Sequence, residues 1–253
     1  MLIPKTADGR VLFAVPWLAK TILGTTDTPR HDVVREPLAF RDEDNFILNE
    51  SARYLTHSPT RSDIKSIWVG LRPLVKSADD EGDNTKGLSR EHTILISKSG
   101  LVTVTGGKWT TYRAMAEDVL NRCFASALLP SRPGGVTSAL RLVGAQETKQ
   151  SISDAPGIHL YGSEAEAVLA LPGADNELGG GLTEAMVRYA AQSEYARTVE
   201  DVLARRSRLL FLDAALAKSL VAPVAAMLQQ ETGVDPSTDA TLALCDQYLH
   251  LPD

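Results

Sequence analysis

The sequence is poor in the features that usually announce a chemistry. It has two cysteines, Cys123 and Cys245, and they form no Cys-x-x-Cys pair. That excludes a disulfide scaffold and argues for a reducing compartment. The five histidines (His31, His57, His92, His159, His250) are scattered. None is paired at metal-ligand spacing, so no metal site is expected. No run approaches the ~18 apolar residues that cross a membrane, and Met1 starts no signal peptide. No Gly-x-Ser-x-Gly elbow marks a serine nucleophile. The Gly134-Gly135 and Gly179-Gly180-Gly181 runs lack the strand–turn–helix context of a dinucleotide-binding Gly-x-Gly-x-x-Gly. Positive charge is also short: the formal charge is −6, which argues against a nucleic-acid partner.

What is present is an ordinary globular profile, 43% apolar and 23% charged over 253 residues. That length suits one large domain or two medium ones. The first 27 residues read as strands around an Asp8-Gly9 turn. "RDEDNFILNESARYL" (Arg41–Leu55) reads as a helix capped by Asp42. The β-branched stretch Ile64–Val75 reads as a strand. "EHTILIS" and "LVTVTGG" read as a hairpin about Lys98-Ser99-Gly100, followed by the helix "TTYRAMAEDVLNRCFASAL". A Pro/Gly/Ser-rich linker then spans Leu129–Ser138. Beyond it apolar residues recur at helical spacing, with Thr198 a good N-cap before Glu200 and Asp201. Tyr189, Tyr195 and the stripe Leu203, Leu209, Leu210, Leu212 read as helix core. The pattern predicts an α+β chain: a mixed, sheet-rich domain over 1–130 and an all-α domain over 136–253. A chain that opens on an interior-looking strand is expected to lack a front segment.

Three constellations could carry chemistry. In "VTGGKWTTYRAMAED" a strand meets Gly106-Gly107-Lys108 and turns into a helix. Glycines let backbone N–H groups approach a ligand, the helix N-terminus adds positive potential, and Lys108 adds a point charge. A phosphate-binding P-loop needs a different glycine spacing and a Ser/Thr where Trp109 stands. A structural turn with a solvated lysine fits the same residues. In "GLRPL", Arg72 ends an apolar strand and is fixed by a proline, which suits either an anion or a structural salt bridge. In "SREHTI", Arg90 precedes a strand and reads alone as a surface charge. All three fall between Thr60 and Arg113, where nine Lys/Arg face six Asp/Glu, a net +3 within an acidic chain.

Together and in this order, these motifs resemble the FAD-dependent (aerobic, respiratory) glycerol-3-phosphate dehydrogenases. Gly106, Gly107, Lys108, Thr111, Tyr112, Arg113 and Ala116 match that family's second signature. "VLFAVPW…LGTTDTP", "GLRPLV", "SREHTI" and "YARTVEDVLARRSRLLFLDA" match in family order, so the resemblance covers essentially the whole chain. It implies an antiparallel substrate-binding sheet with a strand–helix returning from the FAD domain, followed by the helical domain. The N-terminal dinucleotide-binding unit of the family is expected to be absent. The resemblance further implies a catalytic Lys108 beside the flavin. Gly106, Gly107, Thr110 and Thr111 would line the cofactor with it, and Arg72 and Arg90 would grip the substrate phosphate. The implied reaction is hydride transfer from glycerol 3-phosphate to FAD, with dihydroxyacetone phosphate as product and quinone as electron acceptor. An oxygen-using oxidase and a non-catalytic binding or interaction module are the alternatives. The chain alone is expected to be inactive. A homodimer and peripheral membrane association are left open, in the cytoplasm or on the cytoplasmic face of the inner membrane.

Overall fold

The computed structural model describes residues 1–71, 91–145 and 149–252. The chain forms two compact units. One gathers Met1–Thr28, Val34–Gly70 and Val143–Asp253, and the other gathers Pro29–Val33 and Leu71–Leu142. The linker expected at Leu129–Ser138 lies in the second, just before the chain re-enters the first.

In the first unit, β1 (Leu2–Ile3), β2 (Leu12–Trp17) and β3 (Lys20–Gly24) form an antiparallel sheet in chain order. The expected Asp8-Gly9 turn is present. Gly9 takes φ +79° and donates to Thr6 O at 3.2 Å, while Asp8 accepts from the Arg10 N–H at 3.0 Å. The turn between β2 and β3 follows another rule. Leu18 and Ala19 both hold positive φ, 48° and 61°, where glycine or asparagine is usual. Tertiary contacts hold them there: Leu18 is buried, and the two N–H groups donate to Ile152 O (2.7 Å) and Ser153 O (2.9 Å). Helix α1 (Arg41–Ala52) lies against β2 and β3. Its N-cap is Phe40, not the expected Asp42, because Glu43 reaches back to the Phe40 N–H at 2.9 Å. Asp42 still serves the first turn, where its charge favours the helix dipole.

The expected strand Ile64–Val75 is corrected. Residues 64–71 form no strand and pair with none among the described residues, and residues 72–75 lie outside them. Helix ends satisfy the segment's backbone and side-chain polar groups instead. Ile67 N–H donates to Tyr248 O (2.9 Å), Ser66 Oγ donates to Leu210 O (2.8 Å), and Ala214 N–H donates to Ser66 Oγ (2.9 Å). Trp68 packs edge-on against Phe211 at 5.2 Å, and Phe211 against Tyr248 at 5.6 Å. The bulky residues of the segment find helix partners, so no strand partner is needed.

Among the described residues, the all-α region expected over 136–253 is helical only from Ile158 onward. A 3₁₀ run (Ile158–Glu164) leads into α3 (Ala165–Leu169). Then come α4 (Glu184–Ser193), a π-helical turn (Asp201–Arg206), α5 (Leu209–Leu212), α6 (Ala214–Thr232) and α7 (Thr238–Leu249). One element departs from a pure helical module: β6 (Glu177–Gly179) and β7 (Leu182–Thr183) pair as a short hairpin. Its glycine run is a packing feature. A Cβ on Gly181 would stand 2.1 Å from Pro156 O, and one on Gly180 2.6 Å from Leu209.

Thr198 caps as its position predicts. Its hydroxyl accepts from Asp201 N–H (3.1 Å), and the Asp201 carboxylate accepts from Thr198 N–H (3.0 Å), a reciprocal cap. The long helical pattern after it is broken twice. Arg208 is left-handed (φ +61°), and Asp213 is extended and caps α6 by accepting from Leu216 N–H at 3.0 Å. Val187, Val199, Leu203, Leu210, Val221, Val224 and Leu228 are fully buried where α4, α5, α6 and α7 meet. Each such side chain stabilises by about 1.5–3 kcal/mol. The stripe Leu203, Leu209, Leu210, Leu212 and Tyr189 is core as expected. Tyr195 is not: it is 75% exposed, with the Arg197 guanidinium over its ring at 4.2 Å. Cys245 is buried here, and burial pushes its thiol up to about 11, an inert structural cysteine.

In the second unit, β4 (His92–Ile96) and β5 (Val102–Gly106) form the expected hairpin, with Gly100 at φ +83° in the turn. A 3₁₀ turn (Trp109–Thr111) then opens α2 (Tyr112–Ala125). Among the described residues of this unit only Cys123 is buried.

Candidate functional site

The predicted turn closes β5. Gly106 pairs with His92 at the end of the ladder and takes φ +74°, and Gly107 takes φ +83°. Both lie in the left-handed region that a side chain disfavours. Space is closed as well. A Cβ on Gly106 would stand 2.7 Å from Glu91 O, and one on Gly107 2.6 Å from Met115 Sδ. Only glycines allow this double bend, and the bend delivers Lys108 exposed, immediately before the 3₁₀ turn.

The α-helix begins at Tyr112, two residues later than Thr110, because the 3₁₀ turn intervenes. Thr111 does not cap it. Its hydroxyl and its N–H both go to Lys108 O, each at 3.0 Å. Neither Lys108 nor Thr111 supplies a side-chain cap. Although the Tyr112 N–H donates to Trp109 O, at neither helical start does the N-cap side chain take up a backbone N–H. That is the condition in which a helix N-terminus offers donors to an electron-rich ligand. Thr110 is exposed beside them.

Behind the turn, His92 Nε2 lies 2.9 Å from Asp118 Oδ2 and ties β4 to α2. Sequence reading did not find this pair: the two residues are 26 apart, and only the return of α2 along the hairpin brings them together. Arg113 of the signature lies along the helix and bonds Glu117 at 2.8 Å and Thr137 at 3.3 Å. Trp109 is 86% exposed and stacks on Tyr112 at 5.5 Å. Chain continuity thus brings Gly106, Gly107, Lys108, Thr110 and Thr111 into one turn. Arg72 and Arg90 lie outside the described residues.

In the first unit, a cavity of about 470 Å³ opens between β2, β3, α1 and the extended segment after Ile64. Trp17, Ile22, Ile47, Trp68 and Phe211 line it, and none of the predicted site residues that the structure describes does. Asp44 on its wall is 4% exposed and meets Arg61 at 2.8 Å as an ion pair whose angle falls short of a good hydrogen bond. Among the described residues no cluster could hold a metal ion, and no helix is long and apolar enough to cross a membrane.

The family described as the C-terminal domain of alpha-glycerophosphate oxidase matches residues 135–239. The mitochondrial glycerol-3-phosphate dehydrogenase of Schizosaccharomyces pombe is 35% identical, over 96% of this chain and 45% of that protein. The human mitochondrial enzyme of the same name is 36% identical, over 93% of this chain and 35% of that protein. The glycerol-3-phosphate dehydrogenase from Bacillus halodurans, solved in complex with FAD, superposes with a TM-score of 0.74 at 24% identity. That superposition covers 96% of this chain and 52% of the other, and it shows a shared fold. The chain spans less than half the length of the curated relatives it matches. Over more than nine-tenths of its residues it aligns with proteins named glycerol-3-phosphate dehydrogenase, and its residues 135–239 belong to the family described as the C-terminal domain of alpha-glycerophosphate oxidase.

Proposed function

We propose that the protein is part of an FAD-dependent oxidoreductase converting glycerol 3-phosphate to dihydroxyacetone phosphate. One observation carries this reading: the glycine-cornered turn Gly106-Gly107-Lys108, set against helix starts with no side-chain cap, in a chain whose relatives are named for that activity. The donor set fits a flavin ring edge. It combines backbone N–H groups, the nearby Thr110 hydroxyl and one cation, with Thr111 holding the turn through Lys108 O, and no carboxylate lies within the turn. FAD, when bound, supplies the acceptor for the two electrons that leave the substrate carbinol. The chain's own part is to hold and orient. Gly107 keeps the backbone close to the ring, and Lys108 places a positive charge where negative charge develops. Arg72 and Arg90 take the substrate phosphate, for which a planar guanidinium is the better ligand.

By itself this chain is proposed to retain FAD poorly and to be inactive, since its sequence offers no Gly-x-Gly-x-x-Gly unit for the pyrophosphate. Mixing the purified chain with FAD and desalting it should leave no flavin absorbance. A yellow, active protein would overturn that part. The substrate assignment is tested by calorimetric titration with glycerol 3-phosphate. The expected result is a binding heat lost on Arg72→Ala, and no heat at high concentration would remove the assignment.

The acceptor is proposed to be a quinone, which would bring the complete protein to the cytoplasmic face of a membrane. An oxygen-using reading draws support from the matched family's description as an oxidase. Peroxide release during turnover would favour it over quinone reduction.

A further inference from the structure

The helical region holds another cavity, of about 350 Å³, within the range of about 300–1,000 Å³ typical of small-ligand pockets. It lies between the 3₁₀ run before α3, the end of α4 and the turn leading into α5. None of the residues assigned to flavin lines it. Tyr161 and Tyr189 form part of its wall, edge to face at 5.6 Å. Of the two carboxylates among its described lining residues, Glu164 is answered, accepting from the Tyr189 hydroxyl at 3.0 Å.

Two charges have no ion-pair partner within salt-bridge distance among the described residues. Glu194 Oε2 is buried with no hydrogen-bond partner, and among the described residues no cation comes within salt-bridge distance of that carboxylate. Arg206 is spent on the Glu194 backbone carbonyl. Arg208 stands exposed at the rim, and its one hydrogen bond among the described residues goes to Arg206 O at 2.6 Å. Its backbone is left-handed at φ +61°, a conformation that persists in a non-glycine residue only where the surroundings impose it.

A buried carboxylate oxygen without a donor is unfavourable until a donor arrives. Burial is also the largest influence raising the Glu194 pKa, only partly offset by Arg206 and Arg208. A neutral hydroxyl would supply the hydrogen bond but not the charge, whereas an ammonium supplies both. A guanidinium at the rim is the complement of a carboxylate. We propose that this pocket binds a small zwitterion of amino-acid size, its ammonium received by Glu194, its carboxylate by Arg208, and its side chain against Tyr161 and Tyr189.

The test is thermal melting of the chain with the twenty protein amino acids, first mixed and then singly, beside propylamine and propionate as one-ended controls. Binding to the folded state alone gives a saturable rise in melting temperature. The expected result is such a rise with at least one amino acid and with neither control. Affinity should fall about tenfold or more in Glu194→Gln and in Arg208→Gln, the loss expected for one charge-assisted bond. The ligand-free melts show whether each variant is folded. Glu194→Gln keeps the side-chain shape, and Arg208→Gln changes an exposed side chain. The proposal falls if no amino acid shifts the melt, if a one-ended control shifts it equally, or if both folded variants bind as before. No arm requires flavin or glycerol 3-phosphate, so the outcome is independent of the dehydrogenase reading.

Discussion

The hairpin-and-helix unit that carries the Gly106-Gly107-Lys108 turn and the helical region after Ile158 are held together differently. The helical region is built on a continuous core, with Leu203, Val221, Val224 and Leu228 at 0–1% exposure. The turn-bearing unit has one buried side chain among its described residues, Cys123. Its shape rests on the β4–β5 ladder, two glycines at positive φ and the His92–Asp118 pair. A core tolerates changes at its surface and punishes holes within it, because interiors are close-packed. A backbone-defined turn tolerates neighbouring side-chain changes but not a Cβ at its corners. The contrast suggests a division of labour, with stability in one region and ligand geometry in the other.

The comparison can be pressed at single residues. Leu203→Ala opens a hole in the helical core and should lower unfolding free energy by about 2–5 kcal/mol, measured in denaturant. Smaller losses follow at the turn, and they differ between its corners. Gly106→Ala meets the backbone oxygen of Glu91, which cannot move aside, and should destabilise by about 2–3 kcal/mol. Gly107→Ala meets the flexible end of Met115, so Met115→Ala should rescue part of its loss and none of that at Gly106. Equal rescue at both positions would refute the steric account. Thr183→Ala removes the α4 cap, a bond of 3.3 Å to Met186 N–H, and should cost about 1 kcal/mol.

The smallest effect concerns acid. Burial pushes Asp201 up, but the N–H groups of Arg197 and Thr198, the Thr198 hydroxyl and Arg205 together hold its carboxyl below the ordinary range. A depressed folded pKa means stabilisation that is complete above the unfolded aspartate value, about 4, and is lost as pH falls through the folded pKa. Asp201→Asn should therefore flatten the acid side of the stability curve. An unchanged acid slope would show that the reciprocal cap carries no pH dependence.

The legible parts of the sequence were those governed by local rules. The hairpin about Gly100, the Asp8-Gly9 turn, the Thr198 cap and the helical stripe through Leu210 all follow from residues close in the chain. The parts misread or left unread answer to distant partners. Leu18 and Ala19 hold a turn that their side chains disfavour because Ile152 and Ser153 accept their N–H groups. The stretch after Ile64 looks like a strand, yet the ends of α5, α6 and α7 take its hydrogen bonds. Asp213 did carry a readable signal, a cap residue inside a long apolar pattern, and it marks the true start of α6. The Gly106-Gly107-Lys108 turn was legible because its constraint is backbone geometry. The His92–Asp118 support beneath it was not, because it depends on how α2 returns along β4.

The division of labour is tested most directly by Lys108→Ala, made in the flavin-loaded protein that contains this sequence and read in two ways at once. Lys108 is exposed and makes no packing contribution to a core, so the melting temperature should stay within a degree or so of the parent. Turnover of glycerol 3-phosphate should fall by about 10²–10³-fold, as when one electrostatic contact to developing charge is removed. A variant that melts early but turns over normally would contradict the account: Lys108 would then be holding the fold, and the turn would not be the flavin-facing site.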